Sequence, residues 1–92
     1  GSFRLDQNYP NPFNPNTTIN YSLPESSDIT LKVYDISGRE IQTLVNANQS
    51  TGNYSVQWDG TTAEGLLVET GVYFAMIQAS DYSEVIKMVY LR

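Results

Sequence analysis

The sequence predicts an all-β domain, an antiparallel β-sandwich of about seven short strands. Three observations carry this. Apolar and polar residues alternate in period two along most of the chain. Seven Tyr, three Phe and one Trp accompany many Val, Ile and Thr, the residue types that fill a pleated, half-buried surface. Clusters of Gly, Pro, Asn, Asp and Ser interrupt the alternation about every 8–12 residues. No stretch shows i, i+3, i+4, i+7 spacing between helix caps. The 92 residues suit one core and not two. Gly1-Ser2 has the form of a scar from tag removal and is set aside, leaving residues 3–92 as a single domain.

The elements follow in order. Phe3 to Gln7 is predicted to be a short edge strand. Asn8 to Asn16 holds Pro10, Pro12 and Pro15, which exclude a helix and a central strand. It is expected to be a stiff, extended, partly polyproline-like strap, pinned to the body by Tyr9 and Phe13. Thr17 to Leu23 places Ile19, Tyr21 and Leu23 on one face. Ile29 to Tyr34 turns Ile29, Leu31 and Val33 inward. Asp35-Ile36-Ser37-Gly38 is a tight turn with Gly38 at positive φ. Glu40 to Val45 has mixed phase, the mark of a bulge, and Asn46 to Gly52 reads as a polar connection. Tyr54, Val56 and Trp58 share a face. Asp59 to Gly71 is irregular, with Gly60, Gly65 and Gly71 as punctuation. Val72 to Ala79, apolar on both faces, is a central strand, and Glu84 to Leu91 closes the domain. Seven strands with this turn spacing predict an immunoglobulin-like sandwich, with Trp58 as its core plug.

Composition excludes several functions. Net charge is −5, and the five cations Arg4, Lys32, Arg39, Lys87 and Arg92 are scattered, so no basic stripe exists for nucleic acid or an anionic membrane surface. There is no Cys and no His, which removes disulfides, thiolate metal sites and the commonest general base. No apolar run approaches the roughly 20 residues of a membrane span. Without a catalytic constellation the domain is expected to be non-enzymatic and to need no cofactor.

Two weaker candidates have simpler structural roles. Asp59 and Glu64 share a Gly-rich loop that would offer oxygens to calcium, but the spacing is not that of an EF-hand, and Asp59 beside Gly60 is the usual composition of an Asx turn. Tyr34, Tyr73, Tyr82 and Tyr90 would suit a sugar-binding platform on an accessory polysaccharide-binding module. Against that, sandwich tyrosines commonly pack with their hydroxyls at the rim.

Together, Gln7-Asn8-Tyr9-Pro10-Asn11-Pro12-Phe13-Asn14-Pro15, Val33-Tyr34-Asp35 with Gly38-Arg39, Gly52 followed by Trp58-Asp59-Gly60, Gly65, Gly71-Val72-Tyr73-Phe74, and Lys87-Met88-Val89 with Leu91-Arg92 resemble type A C-terminal sorting domains of the type IX secretion system. The Trp-Asp-Gly pattern also resembles the immunoglobulin-like domain of flagellar hook-capping proteins. The first resemblance implies an address label on a larger cargo tethered at its N-terminal side. The machinery of the outer membrane would recognise the folded domain in the periplasm. A sortase-like surface peptidase would then remove it, leaving the cargo attached at the cell surface. Recognition would fall on Asn8, Pro10, Asn11, Pro12 and Phe13 and on Lys87, Met88, Val89, Leu91 and Arg92. Asp35, Gly38, Gly52, Trp58, Asp59, Gly60, Gly65, Gly71 and Tyr73 would be structural. If the last strand lies at a free sheet edge, its backbone would pair with a receptor strand.

Overall fold

Seven strands make two antiparallel sheets packed face to face. The architecture comes from a computed structural model that describes residues 2–92; Gly1, half of the dipeptide read as a scar, lies outside the described residues. The strands are β1 (Arg4–Leu5), β2 (Thr17–Leu23), β3 (Ser27–Tyr34), β4 (Glu40–Gln49), β5 (Gly52–Trp58), β6 (Gly71–Ala79) and β7 (Tyr82–Tyr90). One sheet has the order β1-β2-β5 and the other β4-β3-β6-β7.

The period-two pattern decides which side chains enter the core. In β2, Ile19, Tyr21 and Leu23 are buried, and β3 turns Ile29, Leu31 and Val33 towards them from the opposite sheet. Trp58 at the end of β5 is 1% exposed, so the indole is the core plug the sequence predicts. Its Nε1–H still finds a partner, donating to the Thr61 carbonyl at 2.9 Å, as a buried indole must. Among the described residues no buried side-chain nitrogen or oxygen lacks a hydrogen bond.

Two local features match expectation. The register of β4 against β3 shifts between Leu31 and Lys32 and again between Val33 and Tyr34, the bulging signalled by the strand's mixed phase. Gly38 has φ +87°; beside it the Asp35 carboxylate accepts from the Ser37 and Arg39 amides and the Ser37 hydroxyl. The Ser37 hydroxyl bond, then the Arg39 amide, hold the Asp35 carboxyl below the usual carboxylate range.

Two expectations are corrected. Asn46 to Gln49 continues β4, pairing with Ser27 to Thr30; Asn46 and Asn48 are exposed, half-buried Gln49 accepts the Tyr21 hydroxyl at 2.6 Å, and ladder pairing overrides low strand propensity. The Tyr9 side chain does not pin the strap: the residue is 80% exposed, and it is held through its main chain, which exchanges two 2.9 Å hydrogen bonds with Thr18. The strap consists of bends between two single bridges, at Tyr9 and Phe13, and the large side chain it buries is Phe13 alone.

Candidate recognition surface

The segment from Phe3 to Phe13 runs beside β7. Phe3 stacks on Tyr82, with ring centroids 5.0 Å apart. Further along, the Gln7 carboxamide donates to the Lys87 carbonyl at 2.7 Å. Asn11 Oδ1 accepts the Val89 amide at 2.8 Å, and its Nδ2 approaches the Lys87 carbonyl at 3.4 Å. At Phe13 the contact becomes main chain: its N–H donates to the Val89 carbonyl at 3.0 Å and its carbonyl accepts the Leu91 amide at 3.1 Å. A short parallel bridge thus extends the four-stranded sheet.

The Phe13 ring anchors this bridge. It is 2% exposed and lies 5.5 Å from Trp58 and 5.2 Å from Tyr90, tilted against both. Trp58 meets Tyr73 edge-on at 5.5 Å. Burial of a large aromatic side chain contributes about 1.5–3 kcal/mol, with some further gain from tilted ring pairs. Gly60 fits beneath this cluster at φ +74°: a Cβ there would sit 3.2 Å from Tyr90 Cε1, so only glycine combines the backbone turn with the space.

The sequence candidates divide by placement. Asn8 is 3% exposed and internal. Its Nδ2 donates to Thr17 Oγ1 at 2.8 Å and to the Pro10 carbonyl at 3.2 Å, and its Oδ1 accepts from Gln7 at 2.7 Å. Met88 is fully buried. Pro10, Asn11, Pro12, Lys87, Leu91 and Arg92 are exposed and Val89 is partly so. The structure therefore brings residues 10–13 and 87–92, far apart in sequence, onto one end of the sandwich. Sequence reasoning missed Gln7 as a strap-to-β7 contact and Tyr9 as the exposed aromatic. The Gln-Asn-Tyr-Pro context flagged the segment without revealing which side chains turn inward.

One expectation fails here. The Val89 N–H and C=O, the Lys87 C=O and the Leu91 N–H are already occupied by the strap. This half of β7 is no free edge for a receptor strand, because the chain's own N-terminal segment takes that place.

The other candidates resolve geometrically. Asp59 Oδ1 accepts the Thr61 amide at 3.2 Å and the Thr61 hydroxyl at 2.5 Å, the Asx turn expected beside Gly60. Among the described residues no group of three or more carboxylates gathers as a metal cage. Gly52 opens β5, Gly65 ends a turn with its N–H on the Thr62 carbonyl, and Gly71 opens β6. The proposed tyrosine platform does not form, because Tyr73 is 7% and Tyr90 2% exposed, both inside the core cluster. Tyr73 and Tyr82 have hydroxyl pKa values raised chiefly by burial. Four cations have carboxylate neighbours: Arg4 with Asp6, Lys32 with Glu40, Arg39 with Asp35 and Arg92 with Glu69. Among the described residues, Lys87 is the cation without one.

Comparison with known proteins gives a family. Residues 13–83 match the FlgD Ig-like domain. The chain belongs to that family. No curated protein matches the sequence significantly. Among solved structures, FlgD from P. aeruginosa is 25% identical with a TM-score of 0.63, over 80% of this chain and 59% of that one. Dimeric latent PorU from Porphyromonas gingivalis is 17% identical with a TM-score of 0.70. PorZ, an essential bacterial surface component of the type IX secretion system of the same organism, is 24% identical with a TM-score of 0.64. Both matches take in 99% of this chain, which spans 10% of PorU and 12% of PorZ. At these identities PorU and PorZ share the fold. The family match begins at Phe13 and stops at Ser83, the second residue of β7, so the strap before Phe13 and β7 from Glu84 onward lie outside it.

Proposed function

We propose that this FlgD-type Ig-like domain is a non-catalytic sorting module. It directs a larger, N-terminally tethered cargo across the outer membrane through a type IX secretion system, and the cargo is then attached at the cell surface by a sortase-like peptidase. One observation carries the reading: the strap and the end of β7, where the resemblance to sorting domains is densest, fold into a single joined surface through Gln7, Asn11 and Phe13. In addition, the structural likeness to PorU and PorZ takes in nearly the whole chain, whereas the FlgD match leaves the strap before Phe13 and the end of β7 outside.

The domain works as an address rather than a reactant. Its reactive side chains serve the fold, with the Asp59 carboxylate in a turn and Tyr73 and Tyr90 in the core. What it offers a partner is a rigid surface, and a preformed surface loses little conformational entropy on binding. The test is export. A signal peptide and a folded reporter fused ahead of residues 3–92 are expressed in a bacterium with a type IX system. The reporter is expected on the cell surface or in the medium, and in the periplasm when the domain is left off. Periplasmic retention of the fusion with the domain intact would overturn the reading.

A second reading is favoured by the family match itself: an assembly domain in the manner of flagellar hook-capping proteins, which would bind a structural partner and export nothing.

A further inference from the structure

The outer face of the four-stranded sheet sorts its residues along the strands. The paired registers set up four rows across β3, β6 and β7: Thr30–Gln78–Ser83, Lys32–Met76–Val85, Tyr34–Phe74–Lys87, and Val72–Val89. The first row is polar and continues across β4 into Asn46; the next pair along, Asp28 and Asn48, is polar too and hydrogen-bonded at 2.8 Å. Over β3, β6 and β7 the other rows are apolar apart from two lysines, and on β4 the Lys32 and Tyr34 rows end in polar Thr43 and Glu40. Val85 is 50% exposed, and Tyr34, Phe74, Met76, Val72 and Val89 are each partly exposed. None of these six belongs to the core cluster or packs against it from the rim.

A solvated face of an antiparallel sheet ordinarily reads as the polar half of the alternation. Here the polar half is present at one end and missing at the other, where apolar side chains touch their cross-strand neighbours. A contiguous apolar patch rimmed by polar residues marks an interaction site. Charge indicates its occupant. Lys32 is engaged by Glu40 at 3.1 Å, whereas Lys87, seated beside Phe74 and between Val85 and Val89 along β7, has no carboxylate neighbour among the described residues. In a chain of net charge −5, an unpaired lysine inside an apolar patch fits an incoming carboxylate.

We infer that this end of the face, centred on Phe74, Met76 and Lys87, is where the module docks on its receptor in the export machinery, and that the receptor presents apolar side chains opposite Phe74 and Met76 and a carboxylate opposite Lys87. The inference rests on the sorting reading above. It adds a binding face perpendicular to the β7 edge, which the strap closes. Side chains carry the recognition there, so docking requires no new backbone pairing and no release of Phe13.

The experiment uses the same reporter fusion with three changes to residues 3–92. Phe74→Thr with Met76→Thr removes the apolar contact while keeping strand formers. Lys87→Glu reverses the charge at an exposed position with no internal partner. Gln78→Lys alters the polar end as a control. Circular dichroism and thermal melting of each purified domain confirm folding. Export is expected to fall about tenfold or more for the first two variants and to stay at the wild-type level for Gln78→Lys. Wild-type export of both folded variants would overturn the inference and leave the sorting reading standing, showing a patch shielded by lysine stems. Should the Phe74/Met76 pair unfold, Lys87→Glu alone decides. Failure of the unaltered fusion to export would remove the sorting reading and this inference together. Concentration-dependent self-association, abolished by Phe74→Thr, would replace the receptor by a second copy of the chain.

Discussion

The two edges of the four-stranded sheet, β7 and β4, are finished in different ways. β7 keeps an unbroken register with β6 from Tyr82 to Tyr90, the regular geometry that invites another strand. Its second half is covered by the chain's own N-terminal segment through Asn11 and Phe13. β4 is bulged twice against β3 and ends in Asn-Ala-Asn-Gln, and its contact to the neighbouring loop comes from the Ile41 carbonyl and the Gln42 carboxamide. Bulges and polar side chains blunt an edge without covering it. A regular edge needs a cover, and here the cover is the segment the sequence marks most heavily with Asn and Pro. The strap's first role is therefore structural, and any recognition at that end reads a surface that exists only once Phe13 is seated.

The sharpest way to break the comparison is to unseat Phe13. Phe13→Ala is expected to cost about 3–5 kcal/mol in urea-melt stability, and with it the protection of the Val89 and Leu91 amides. A loss below about 1 kcal/mol would mean that β7 does not need its cover. Next comes Gly60, which supports the cluster from below. Gly60→Ala is expected to cost about 2–3 kcal/mol, combining positive φ with the close approach to Tyr90. Gly38→Ala, at similar φ in the turn leading to β4 but with open space around it, should cost about 1–2 kcal/mol. Equal values would remove Tyr90 contact from the explanation. Asn11→Ala is expected to cost about 1 kcal/mol, because it frees the Val89 amide and a long contact to the Lys87 carbonyl, both at the surface. On the β4 side, Glu40→Gln breaks a partly exposed pair with Lys32 and should change stability by about 0.5 kcal/mol or less.

The smallest effect concerns pH at the β3–β4 turn. Asp35 has a folded-state pKa below its ordinary value. Its contribution is therefore present above the unfolded pKa, near 4, and is lost as pH falls through the lower folded value. The wild type should lose more thermal stability than Asp35→Asn over that window. Parallel pH profiles would show that the turn's hydrogen bonds add nothing.

Most of the fold was legible in the sequence because period-two alternation and burial are the same fact seen twice. Ile19, Tyr21 and Leu23 in β2 and Ile29, Leu31 and Val33 in β3 point where their spacing says, and Gly38 and Gly60 take the positive φ that their Asp neighbours announce. The strand extension through Asn46 to Gln49 was not legible, since pairing with β3 outweighs the residues' own preference. The strap was half legible. Prolines exclude a helix but do not say which side of the segment faces the core, and Phe13 is buried as expected while Tyr9 is exposed, a difference set by contacts with residues far along the chain. The same long-range pairing explains why a free β7 edge looked reasonable: nothing local to Lys87-Met88-Val89 records that Gln7, Asn11 and Phe13 lie against it.

Amide hydrogen exchange within β7 distinguishes a covered edge from an open one. By the antiparallel alternation, Val85, like Val89, turns its N–H away from β6, but no hydrogen bond from the strap reaches it among the described residues. With the strap seated, slow exchange is expected at Val89 and Leu91 and fast exchange at Val85 in one folded molecule. Exchange at Val89 and Leu91 as rapid as at Val85 would show that the strap does not close this edge.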